Sequence, residues 1–86
     1  MPPEQLREAV RARPFVPFRI CLTDGQSYDI RHPELLMTGK RSAVIGVILQ
    51  PTEPEPLSDR FVTVDLLHVV RIEPLEVSAQ PGNGQP

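Results

Sequence analysis

Eighty-six residues supply one small hydrophobic core and leave no chain for a second. Nine Lys and Arg against eleven Asp and Glu give a net charge of −2, which excludes a uniformly cationic nucleic-acid binder. One cysteine excludes a disulfide scaffold, and no apolar run approaches the roughly 18 residues a membrane span requires.

The lone thiol suits a reducing compartment, and Met1-Pro2-Pro3-Glu4 has neither the basic start nor the apolar stretch of an export signal. A cytoplasmic protein with no membrane partner is therefore expected. Pro3 fits the first position of a helix, where its missing N–H costs nothing. Good helix formers follow over residues 4–13, with Leu6, Ala9 and Val10 forming a narrow apolar stripe. Glu4 stands at the positive end of the helix dipole, Arg11 and Arg13 at the negative end, and Pro14 closes the helix.

The period then changes from 3.6 to 2. Phe18, Ile20 and Leu22 alternate with Arg19, Cys21 and Thr23, as in a strand with one face buried. Asp24-Gly25 is a hairpin signal, and Tyr28 and Ile30 carry the alternation into the returning strand, which sets Phe18 and Tyr28 toward the core. His32-Pro33-Glu34 breaks the pattern; Leu35-Leu36-Met37 reads as an apolar turn or a bent continuation of the sheet, and Thr38-Gly39-Lys40-Arg41 as the next turn.

Residues 42–49 (SAVIGVIL) are apolar at both parities, the pattern of a strand covered on both faces, and Gly46 within them predicts a bulge or sharp bend. A polar loop with three prolines occupies residues 50–59, and residues 60–64 (RFVTV) form the fourth strand. Asp65-Leu66-Leu67-His68 has the length of one 3₁₀ turn with Asp65 as its cap. Residues 69–73 (VVRIE) form the fifth strand, ended by Pro74, and residues 75–86 have a composition too polar to order themselves. The ordered domain is thus expected over residues 1–74.

A helix followed by five short strands, with one turn between the last two, resembles the small β-barrels of the Sm and SH3-like type. It particularly resembles the bacterial Sm-like RNA chaperones, which also begin with a helix. The resemblance covers the order of elements over residues 4–74 and implies a five-stranded barrel that assembles into rings by strand pairing between subunits. That family's basic and aromatic signature before the last strand is missing, since the chain reads TVDLLHVVRIEP there. No RNA-binding residue carries over through it. The segments RARPFVPFRICLTDG, IRHPELL and DLLHVVRIEP also resemble short bacterial proteins to which no activity is attached.

Residues that could carry chemistry are sparse. His32 and His68 stand beside Glu34 and Asp65, but their spacing matches no metal-ligand signature, and each histidine has a local role in starting or closing a turn through backbone bonds. Cys21 sits in an alternating strand as a small, partly buried residue. Gly25, Gly39 and Gly46 are isolated, so no phosphate-cradling loop exists. Neither a catalytic site, a metal site nor a cofactor is expected.

Binding is better supported. Arg7, Arg11, Arg19, Arg31, Lys40 and Arg41 would form a phosphate-binding surface if they converged on one face or repeated around a ring. Glu4 and Glu8 are placed to neutralise Arg7 and Arg11 along the helix, and the aromatic residues needed for base stacking are few. The expected function is a non-catalytic binding or assembly module acting through edge strands and the helix, with itself as the first partner. The alternative is an Sm-like oligomer that binds RNA through arginines on a ring face.

Overall fold

A computed structural model of the chain describes residues 1–48 and 58–75. The expected proline-rich loop and C-terminal tail fall, apart from Ser58, Asp59 and Leu75, outside these residues.

Helix α1 spans Pro3–Arg11, with extended Pro2 as its N-cap and Pro3 at its first position. It ends two residues short of the predicted 4–13, because Ala12 is already extended ahead of Arg13-Pro14. Of the apolar stripe, Leu6 is completely buried and Ala9 and Val10 pack partly against the core.

Six strands follow: β1 (Phe18–Leu22), β2 (Ser27–Ile30), β3 (Leu36–Thr38), β4 (Ser42–Val47), β5 (Arg60–Asp65) and β6 (Val69–Pro74). They form two antiparallel three-stranded sheets, ordered β2-β1-β6 and β3-β4-β5. The expectation of a closed five-stranded barrel is corrected on both counts. The extra strand arises at His32-Pro33, where a 3₁₀ turn over Pro33–Leu35 interrupts the chain and Leu36 re-enters a different sheet as β3. Proline supplies no ladder N–H, so pairing cannot run through it. A second 3₁₀ turn, Leu66–His68, separates β5 from β6 in the same way, and among the described residues no ladder joins the two sheets.

What joins the sheets is the core. Leu6 from the helix, Phe18, Ile20, Ile30 and Val69 from one sheet, and Leu36, Ala43, Ile45 and Val64 from the other pack together with Leu66 of the second turn. Full burial of a side chain such as Ile20, Ile30 or Ile45 is worth about 1.5–3 kcal/mol. The second turn is also tied to distant chain: the Met1 amino group donates to the Leu66 carbonyl (2.8 Å) and the Leu66 N–H to the Arg41 carbonyl (2.8 Å).

Two local predictions have different outcomes. The β1–β2 turn is as expected: Gly25 takes φ +89° and the Asp24 carboxylate accepts the Gln26 N–H at 2.9 Å. The bulge expected at Gly46 is absent, for the register of β4 with β5 runs unbroken from Ser42↔Asp65 to Val47↔Arg60. Gly46 is small because a Cβ there would meet the Leu35 side chain and Ser58 Cβ, each at 3.1 Å. The bulge lies instead in the β1–β6 ladder, where the register shifts between Cys21 and Leu22 and leaves Val70 unopposed on β6.

Candidate interaction surface

The two sheets turn unlike faces to solvent. On β1 the side chains opposite in parity to Phe18 and Ile20 are Arg19 and Cys21. Arg19 is flanked by Asp29 of β2 and Glu73 of β6, Cys21 by Ser27 and Arg71. Arg19 Nε donates to Asp29 Oδ1 at 2.8 Å, Arg31 Nη2 lies 3.6 Å from Asp29 Oδ2, and Arg71 Nε donates to Glu73 Oε2. These acids raise the guanidinium pKa values above their ordinary range, Arg19 chiefly through its hydrogen bond to Asp29 and Arg71 through that to Glu73. Because the shift is upward from an already alkaline value, the pairing persists on the basic side until strong alkali removes the proton. This face is a self-neutralising lattice of charges.

The outer face of the other sheet is apolar. Leu36, Ala43, Ile45, Val62 and Val64 point to the core, so register alternation puts Met37, Val44, Phe61 and Thr63 outside. Met37 and Phe61 are 66% and 70% exposed, high for side chains of their size. Phe61 lies opposite Gly46, over which Leu35 and Ser58 close. Two further apolar side chains, Leu67 and Val70, are exposed beyond β5 and at the β6 bulge. The two-sided apolarity of β4 follows from this arrangement, with Ala43 and Ile45 buried inside and Val44 half-buried outside.

The basic residues singled out in the sequence fall into three groups. Arg19 and Arg31 are brought together by Asp29. Arg7 and Arg11 lie on the exposed side of α1 and line a shallow hollow with Glu4 and Glu8, without an ion pair among the described residues. Lys40 and Arg41 occupy the exposed β3–β4 turn, closed by the Gly39 N–H on the Ser42 carbonyl at 2.8 Å. Among the described residues no ion pair links one group to another.

The histidines and carboxylates do not assemble a reactive centre. The Asp65 carboxylate accepts the Leu67 N–H at 2.9 Å, the capping role read from the sequence. His32 begins the first 3₁₀ turn, as expected: its extended backbone accepts the Leu35 N–H on its carbonyl, and its side chain makes no capping bond. His68 accepts the Thr23 N–H on its carbonyl (2.9 Å), and its Nδ1 lies 3.4 Å from Thr23 Oγ1. Both groups line an open hollow with Asp24 and Tyr28, whose polar atoms are already engaged with Gln26. Among the described residues no group of three or more His, Cys, Asp or Glu could hold a metal ion, and no helix is long and apolar enough to cross a membrane.

Set against family models, curated protein sequences and solved structures, the chain finds no match in any of the three. The one prominent surface residue that sequence reading missed is Phe61. Its signal was present: Thr63 shares its parity and Val62 and Val64 take the other, so the polar partner marks the Phe61 side as the outer one.

Proposed function

We propose that the protein is a non-catalytic binding and assembly module that acts by strand addition at a sheet edge, supported by the apolar outer face beside it. The observation that carries this reading is β5: it is paired on one side only among the described residues, runs for six residues, and exposes Phe61 on its outer face. A strand edge offers a row of unpaired N–H and C=O groups, and an adjoining apolar face adds the burial that makes an added strand stay. The exposed face of α1 flanks β6, which is paired on one side only among the described residues and where Gln5, Glu8, Val70 and Ile72 line an open groove. Size-exclusion chromatography with light scattering tests the reading: the wild type runs larger than a monomer and Phe61→Asp shifts it toward one. An oligomer unaltered by Phe61→Asp excludes the apolar face.

A second reading keeps the Sm-like RNA binder. It is favoured by the order of helix, strands and intervening 3₁₀ turn, and by Arg7, Arg11, Lys40 and Arg41, which are exposed and without ion-pair partners among the described residues. It requires co-purifying nucleic acid, visible as absorbance at 260 nm against a chain with no Trp and one Tyr, and released by salt. Clean absorbance removes it.

A further inference from the structure

We infer that β5 is the edge to which a second copy of this chain adds, antiparallel and two-fold symmetric about Thr63; the inference rests on the assembly reading above and names its partner.

The four sheet edges are unequal. β2 is four residues long and carries the ion-paired Asp29; β3 is three residues long. β6 is bulged at Val70 and ends in Pro74, which has no N–H to offer. Short length, charge, bulges and proline are the devices that keep an edge from pairing. β5 is six residues long in unbroken register with β4, and its central four, Phe61–Val64, hold no proline and no charge.

The ladder also dictates how a partner can add. The Leu66 N–H bonds the Arg41 carbonyl, so in β5 the even-numbered residues turn their backbone groups toward β4. Phe61, Thr63 and Asp65 turn theirs outward, and a second β5 must therefore meet the first odd residue to odd residue. Matching Phe61 with Thr63 would call on Asp59 to bond Asp65, but the Asp59 N–H is turned inward to the Val47 carbonyl (2.7 Å), so only Phe61 and Thr63 of each copy would bond across the seam. Matching Phe61 with Phe61 pairs Asp65 with residue 57, beyond the strand, and matching Thr63 with Asp65 leaves only residues 63–65 paired. Thr63 on Thr63 alone engages every residue from Phe61 to Asp65, with Val62 on Val64, Phe61 beside Asp65 and no like charges opposed. The edge is thus complementary to itself. The product is a continuous six-stranded sheet with Met37, Val44 and Phe61 of both copies on one outer face.

The test uses the whole chain. In a Cys21→Ser background, Thr63→Cys should oxidise to a disulfide dimer, because directly opposed hydrogen-bonded residues stand about 5.5 Å apart at Cα, within disulfide reach. Phe61→Cys, offset in this register, should not. Thr63→Pro removes an N–H that points away from β4, so the fold tolerates it and the dimer is lost. Thr63→Lys checks the same point without touching the backbone: two cations meet at the two-fold axis, and dissociation by light scattering should rise at least tenfold, less so in high salt. A dimer that survives both variants overturns the inference while leaving assembly by another surface. Loss of the dimer in both variants without cross-linking through Thr63→Cys overturns the register. A wild type that is monomeric at every concentration overturns self-assembly together with the inference.

Discussion

Gly25 holds φ at +89° in a three-residue turn where the Leu22 and Gln26 backbones bond each other, and no side chain crowds it. The demand there is conformational, since an L-residue in that region costs about 1–2 kcal/mol and a β-branched one more. Gly25→Val is expected to lower unfolding free energy by at least ~1–2 kcal/mol in urea; unchanged stability would mean the turn is drawn wrongly. Asp65 works by its carboxylate on the Leu67 N–H, in the turn that holds β5 and β6 apart. Asp65→Ala should cost about 0.5–2 kcal/mol, as for other lost caps, and urea denaturation reads it directly. Cys21 has its place in the β1 ladder, and His32 and His68 theirs at the two 3₁₀ turns.

At the scale of elements, the helix is held by one side chain more than any other. Leu6 is fully buried among residues of both sheets, whereas Ala9 and Val10 are only partly covered. A nine-residue helix is too short to persist alone in water, so docking is what keeps it folded. Leu6→Ala should cost about 2–5 kcal/mol and abolish protection of the α1 amides in hydrogen exchange, with the strand amides of β1 and β4 losing less. Equal loss everywhere would mean that helix and sheets unfold as one unit. Most of the elements were legible in the sequence because their signals are local: the period of two in β1, Asp24-Gly25, Pro33, and Asp65 ahead of two leucines. β3 was ambiguous because three apolar residues have no period, and Gly46 was misread because a glycine tolerated for crowding looks the same in sequence as one used for bending.

The whole molecule divides into a charged face and an apolar one. Arg19, Arg31 and Arg71 are satisfied by Asp29 and Glu73, while Met37 and Phe61 are left open across the outer face of the other sheet. Burial of apolar area is insensitive to screening, whereas binding of phosphates falls steeply as salt rises. Raising sodium chloride from 50 to 500 mM (roughly tenfold) should therefore leave the oligomer intact, and dissociation over that range would favour a charged interface. Whether Arg7, Arg11, Arg19, Arg31, Lys40 and Arg41 share a face is a question of space that no spacing in the chain answers.

The sequence by itself determined the helix, the alternating strands, the hairpin turn and the capped break before the last strand, because each depends on residues within a few positions of one another. Only the tertiary structure decided that Pro33 divides the strands between two sheets, that the arginines lie in three places, and that β5, beneath Phe61, is paired on one side only among the described residues. Those outcomes depend on which distant segments share the one core. Pairing across dozens of residues is chosen by the burial it achieves as a whole, and local pattern carries no record of it.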